Sequence, residues 1–214
     1  MTSNHPSSLS TRTALFGALG SWRIWTPIGA VFVIFAGLFF ASSAPFSIPE
    51  VEAACGQAPP DVSFYTSGDD VSNFLDACGA SGRRAYQNMQ IADLFYPAVF
   101  GLFLASSMML TFSKISVNNR VVVALATLPL VGSAFDYLEN SFAWIALANY
   151  PSETPTNALL GWASAAKTTT FWVSGILLLG GLGVVIVQRI SRKDNPTTRH
   201  REPSHPVDGR PTSA

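Results

Sequence analysis

Residues 121–147 read VVVALATLPLVGSAFDYLENSFAWIAL, and this stretch decides the fold class. As a helix rising about 1.5 Å per residue, it is long enough to cross the roughly 30 Å of hydrocarbon in a bilayer. Three other windows are similarly long and apolar, at residues 24–44, 91–112 and 160–187. The sequence therefore predicts an all-α, polytopic membrane protein, in which a four-transmembrane-helix bundle carries a long outer first loop at residues 45–90.

The composition agrees with a membrane protein because its few charges are segregated. Charged residues make up 12% of the 214-residue chain, against about 25% in typical globular domains. The 13 basic and 13 acidic residues cancel, so no net charge favours a nucleic-acid partner. We expect a cytoplasmic tail at residues 1–23, a transmembrane domain at 24–190 and a disordered cytoplasmic tail at 191–214.

The distribution of charge also predicts orientation. Basic residues precede the first span, fill the short second connection and follow the fourth span, whereas acidic residues predominate in the first loop. The positive-inside rule then places both termini in the cytoplasm and the first loop outside the cell membrane. An alternative for the first window is a cleaved signal peptide, since Arg12 and Arg23 precede an apolar run that ends in small residues. The length of the run favours a retained span.

The outer loop contains both cysteines of the chain, Cys55 and Cys78. Because thiols outside the cytoplasm oxidise and stay oxidised, we predict that they form a disulfide. We also expect a short helix at residues 70–77, with Asp70 as its N-cap. Val71, Phe74 and Leu75 would then share its buried face.

A polar stripe interrupts the third window. Asp136, Glu139 and Asn140 are spaced i, i+3 and i+4, which places them on one helical face. An acidic residue near the centre of a spanning helix costs about 2.5–3.5 kcal/mol, so the two carboxylates need compensation. Lys167 of the fourth window is the natural partner, because antiparallel third and fourth spans bring it to a similar depth.

This arrangement predicts a polar pocket in the outer half of the membrane. Our first hypothesis is a membrane enzyme or binding protein for a lipophilic or amphiphilic small molecule. In it Asp136 and Glu139 are proton donor and acceptor, and Lys167 is their counter-charge. The residues expected to bind the substrate are Asn140, Tyr137, Asp93, Tyr96, Ser133 and Trp162. For Asp93, considered alone, we favour a structural role over substrate binding, as a helix-start carboxylate that is stabilised by the helix dipole.

The sequence also allows three alternatives to a small-molecule site. In the first, the polar residues are a packing network that locks the helices together. In the second, the chain is a structural tetraspan that binds a partner through its outer loop, and in the third it is a proton-coupled carrier. Four helices would support a carrier only as a homo-oligomer or with partner subunits. Membrane lipids are expected partners in every case, and no metal or cofactor motif is present in the sequence.

The chain also resembles small bacterial four-helix membrane proteins of unassigned function, over residues 91–175. The resemblance rests on Asp136-Tyr137-Leu138-Glu139-Asn140, Asn149-Tyr150-Pro151, Ala163-Ser164 and Lys167. Carboxylates inside a small bundle are similar in architecture to the emopamil-binding and sterol-isomerase superfamily. That similarity implies binding or protonation of lipophilic amines or sterols. The long disulfide-bearing loop resembles claudin-type tetraspan proteins, although the Trp-rich signature before their cysteines is absent.

Overall fold

The computed structural model describes residues 18–115 and 117–193, apart from the side chains of residues 192 and 193. Within these residues the secondary structure is helical, without a strand. The helices are α1 (Trp22–Ala41), α2 (Ile48–Cys55), α3 (Gly68–Ala92), α4 (Tyr96–Phe112), α5 (Asn119–Asn149) and α6 (Pro155–Lys193), with a 3-10 turn at Pro60–Val62. Most of the two predicted tails lies outside the described residues.

In the part of the chain that the structure describes, four helical stretches are long and apolar enough to cross a membrane, which confirms the predicted all-α class with four candidate spans. Their bounds are Trp22–Ala41, Gly68–Phe112, Asn119–Asn149 and Pro155–Ser191. Large apolar side chains such as Val33 on α1, and Leu179 and Val187 on α6, are mostly exposed. Continuous exposed apolar surface of this kind is typical of helices that face lipid.

The first connection differs from the expected loop because most of it is helical. We refer to residues 45–92, which contain α2, the 3-10 turn and α3, as the cap. The α3 range, Gly68–Ala92, contains two helices that meet at a kink, because Gly79, with φ of 58° and ψ of −171°, is not helical. The first corresponds to the short helix expected at residues 70–77, and the second, after Gly79, was not expected. A positive φ is readily adopted only by glycine, so this position allows the chain to change direction between them.

The start of α3 also corrects the expected N-cap. The capping residue is Ser67, whose hydroxyl accepts a hydrogen bond from the Asp70 amide at 3.2 Å. Asp70 stands at the third helical position, and its carboxylate accepts from the Ser67 amide at 3.0 Å, which completes a capping box. The predicted buried face of Val71, Phe74 and Leu75 is confirmed.

The cap packs on the ends of the long helices as one continuous core. The predicted Cys55–Cys78 disulfide is present and joins the end of α2 to α3. Buried cap residues, Val51 and Tyr86 among them, belong to the same apolar cluster as Phe39 of α1 and Leu160 of α6. The cap is therefore built into the bundle.

A polar anchor connects the cap to the end of α5. The Tyr150 hydroxyl donates to the Asp76 carboxylate at 2.7 Å, and the Arg83 guanidinium lies 4.0 Å from the centre of the Tyr150 ring. The bond to Asp76 raises the pKa of the Tyr150 hydroxyl above its ordinary value. Tyr150 thus fixes the position of α3 relative to α5.

The second span begins later than expected. The chain breaks its helical course at residues 93–95, and α4 starts at Tyr96 rather than near residue 91. Asp93 caps the C-terminus of α3 and is buried, so the expectation of a helix-start carboxylate is wrong. Pro97 favours this restart because proline is tolerated in the first turn of a helix but not in its interior.

A close approach between Gly161 and the backbone of Thr66 holds the cap against α6. A Cβ atom added at Gly161 would lie 2.0 Å from the Thr66 carbonyl oxygen. The Thr66 hydroxyl in turn donates to the Pro60 carbonyl at 3.0 Å, so the whole segment 60–66 depends on this contact. Only a residue without a side chain fits here.

Gly161→Ala is therefore expected to lower the free energy of unfolding by about 1–3 kcal/mol, because backbone must move to admit the methyl group. Thermal unfolding of the purified protein in detergent measures the effect. Gly175→Ala is the matched control on the same helix, since no atom lies within 4 Å of its added Cβ. Equal stability of the two variants would contradict the close packing of segment 60–66 on α6.

Candidate functional site

Lys167 of α6 lies at the centre of a buried polar cluster. Its ammonium contacts the carboxylate of Glu139 and lies 3.4 Å from Asp136 Oδ1, both on α5. It also donates to the backbone carbonyl of Asp61 at 3.0 Å. The lysine side chain is only 14% exposed. The i, i+3 spacing on α5 places both carboxylates on the face that meets α6.

The face of α5 toward the neighbouring helices is small and polar, as the sequence pattern indicated. Asp136, Glu139 and Asn140 are buried, whereas Val131 and Leu138 on the other side are exposed. Glu139 is fully enclosed and also accepts a hydrogen bond from the Ser164 hydroxyl of α6. Such pairing is what buried ionised groups require, because water is not available to solvate them.

A third carboxyl group, Asp61, comes from the cap and was missed by the sequence analysis. Its two carboxylate oxygens accept hydrogen bonds from the Tyr86 hydroxyl at 3.0 Å and the Gln90 amide at 2.6 Å. Burial raises the pKa of Asp61 above its ordinary value, although the Lys167 ammonium and these hydrogen bonds act in the opposite direction. Asp61 follows Pro59-Pro60, a pattern typical of an exposed turn, and only the i, i+4 spacing of Tyr86 and Gln90 hinted at a partner.

Asp93, at the break between α3 and α4, is the fourth carboxyl group. The residue is buried, yet in residues 18–115 and 117–191 it has no basic side chain within 4.0 Å. Asn140 donates from Nδ2 to the Asp93 backbone carbonyl at 3.2 Å. Asn140 therefore holds the helix break in place beside the cluster.

A cavity of about 160 Å³ adjoins this cluster, between the cap, the ends of α1 and α4 that meet it, and the facing sides of α5 and α6 at Asp136 and Lys167. Its polar lining comes from Asp61, Asp93, Asp136 and Lys167, and its apolar or aromatic lining from Phe39, Phe40, Ile48, Val62, Met89 and Tyr96. Glu139 is not part of the lining and pairs with Lys167 behind it. The cavity is thus charged on one side and apolar on the other.

Four residues expected to bind substrate do not line the cavity, and one of them is Asn140, which holds the helix break at Asp93 instead. Ser133 donates to the Pro97 carbonyl at 2.6 Å and packs α5 on α4. Tyr137 donates to the Leu94 carbonyl at 2.9 Å, and Trp162 is 66% exposed beside Tyr65. A residue next to Asp136 points about 100° away from it around a helix, and one five positions before Lys167 points about 140° away. The similar positions of these residues along their helices therefore did not bring their side chains to the site.

The fold and site define a helical protein with four apolar, membrane-length helices and a buried cluster of four carboxyl groups around one lysine. No group of three or more Asp, Glu, His or Cys side chains within the described part of the chain is arranged to hold a metal ion. In comparisons with known proteins, no family model, curated protein sequence or solved structure matches the chain.

Proposed function

We propose that the chain is a multi-pass protein of the cell membrane, with both termini in the cytoplasm and the cap on the outer side. Its site would bind a lipophilic small molecule and act on it by acid/base chemistry. The observation that carries this proposal is the cavity, which places ionisable groups of membrane-length helices against an apolar, aromatic wall. Ionisable residues within spanning helices mark functional sites by default, because they are costly to retain.

The positions of the carboxyl groups indicate which of them exchanges a proton with the ligand and which balances the charge of Lys167. Asp136 faces the cavity, so it is the member of the α5 pair that would exchange a proton with the ligand. Glu139 lies behind it and balances the charge of Lys167. Lys167 keeps the two carboxyl groups in place and connects them to the cap through Asp61.

A second candidate function is partner binding through the cap. Phe64 and Tyr65 are largely exposed next to the 3-10 turn, and Trp162 of α6 packs edge-on against Tyr65. Exposed aromatic residues are enriched at protein interfaces, and also at the level of lipid headgroups. If partner binding is the main function, a Phe64→Ser change would harm it more than a change at Asp136.

The proposed function is tested by what the protein retains from its own membrane. After extraction into polymer-bounded native discs, mass spectrometry should find a small molecule bound to the wild type and at least tenfold depleted in Asp136→Asn, at equal folded yield. Asp69→Asn is the matched control, since this exposed carboxylate of α3 does not line the cavity.

Two results would count against the proposal. If all three proteins retained the same compounds in the same amounts, the cavity would not be a binding site. A loss of folded protein in Asp136→Asn, without any retained compound in the wild type, would favour the packing network.

A further inference from the structure

We propose that the cavity takes the cationic head of a single-chain amphiphile, a protonated alkylamine, while its hydrocarbon chain remains outside the cavity along α1. This inference rests on the proposed function and narrows its ligand to one chemical class. It follows from the donors and acceptors left free in the cavity, from the cavity's size, and from the residues at its mouth.

The polar lining of the cavity has more hydrogen-bond acceptors than hydrogen-bond donors. An ammonium group has three N–H donors, and those of Lys167 are directed to Glu139, Asp136 and the Asp61 carbonyl. The Tyr86 hydroxyl and the Gln90 amide already donate to Asp61. The positively charged group at this site is therefore committed to the protein's own oxygens.

The charge that lacks a full partner is negative. Asp136 lines the cavity, and its Oδ1 atom has the Lys167 ammonium at 3.4 Å as its partner, which it shares with Glu139. Asp93 also lines the cavity, is buried, and has no salt bridge with a described residue. A buried carboxylate without a counter-charge is costly, so a ligand that supplies N–H groups and a positive charge would pair with Asp93 and share Asp136 with Lys167.

The size of the cavity limits what enters. A protein cavity of about 150 Å³ holds one benzene molecule, so about 160 Å³ admits a head of only a few heavy atoms. A complete lipid headgroup with its phosphate is larger, and the phosphate would also meet the carboxylates with a like charge. The ligand that fits is a small ammonium group on a chain that stays outside.

Apolar side chains mark the mouth through which such a chain would leave. Phe40 at the end of α1 and Val62 of the cap both line the cavity and are 48% and 45% exposed. Inside the mouth, the rings of Phe39 and Tyr96 are stacked with centroids 5.5 Å apart. Aromatic faces attract ammonium groups and also pack against the first methylenes of an alkyl chain.

The test compares three probes of equal chain length. The purified wild type in phosphatidylcholine nanodiscs is titrated with dodecylamine, dodecanol or dodecanoate, and occupancy is read by native mass spectrometry. We expect dodecylamine to bind at least tenfold more tightly than either other probe. Asp93→Asn should weaken amine binding at least tenfold, whereas Asp69→Asn, which removes a carboxylate outside the cavity, should leave it unchanged.

The outcomes separate this inference from the proposed function. If dodecanol or dodecanoate binds as tightly as the amine, the cationic class is wrong, while a lipophilic ligand site stands. Amine binding that is equal in wild type and Asp93→Asn, or absent from the wild type, overturns the inference even if another compound copurifies from native membranes. If Asp93→Asn does not fold, Phe40→Ala at the exposed mouth is measured in its place. This variant should bind dodecylamine at least threefold more weakly than the wild type, and equal binding would overturn the inference.

Discussion

Lys167→Met is expected to lower the free energy of unfolding by about 3–5 kcal/mol. The change leaves Glu139 and Asp136 buried next to each other without a positive charge, and it removes the hydrogen bond to the Asp61 carbonyl. Methionine fills nearly the same volume, so the loss reflects charge and hydrogen bonding rather than a cavity. The measurement is the shift of the thermal unfolding midpoint of the detergent-purified protein, together with the yield of monodisperse protein.

Lys114→Met is the matched control for this prediction. Lys114 is exposed at the end of α4 and lies 5.1 Å from the ring centre of Trp22. An exposed cation–π contact contributes about 0.5–1 kcal/mol, so the control should change stability little. If Lys167→Met were as stable as Lys114→Met, the lysine would not be holding buried carboxylates.

Replacement of both Cys55 and Cys78 by serine is expected to destabilise the folded protein by about 3 kcal/mol. The disulfide closes a loop with a sequence separation of 23 residues, and the chain-entropy model assigns a loop of that length a stabilisation of this size. Asp61 lies inside this loop, so the cap should loosen where it covers the cavity. Hydrogen exchange measured at residues 56–66, with the unfolding midpoint, tests both effects.

Treatment of the wild type with a reductant is the control for the serine variant, because it removes the same bond without changing the sequence. Both should speed hydrogen exchange in residues 56–66 and leave α5 protected. Unchanged exchange in both would show that the α2–α3 packing alone holds the cap, and would contradict a role for the disulfide in covering the site.

The helices and the central pair of the site follow from the sequence for a simple physical reason. In a run as apolar as residues 121–147, a carboxylate must find a partner, and the helical spacing of Asp136 and Glu139 aims both to one side. Lys167 is the basic residue within the fourth apolar window, so α5 and α6 were paired correctly. These features were predictable because strong local sequence patterns determine them.

The contribution of the cap to the site could not be predicted from local sequence patterns. Asp61 reaches the site because Gly161 lets the backbone of segment 60–66 approach α6, which is a contact between residues far apart in sequence. The part of α3 after the kink at Gly79 was missed because Gly79 and the polar residues around it are typical of a loop, while the burial that stabilises this part comes from α2, α5 and α6. Tertiary contacts of this kind leave no periodic pattern in a single sequence.

Whether Lys167 and Glu139 form a buried ion pair is measured by a double-mutant cycle between Lys167→Met and Glu139→Gln, using equilibrium unfolding in mixed micelles. We expect a coupling energy above about 1 kcal/mol, because the second change removes the charge that the first leaves unpaired, and contacting groups couple by about 0.5–3 kcal/mol. The double variant should therefore be more stable than the sum of the single changes implies. Additive effects within about 0.3 kcal/mol would mean that the two side chains act independently, and would contradict the buried cluster on which the proposed site depends.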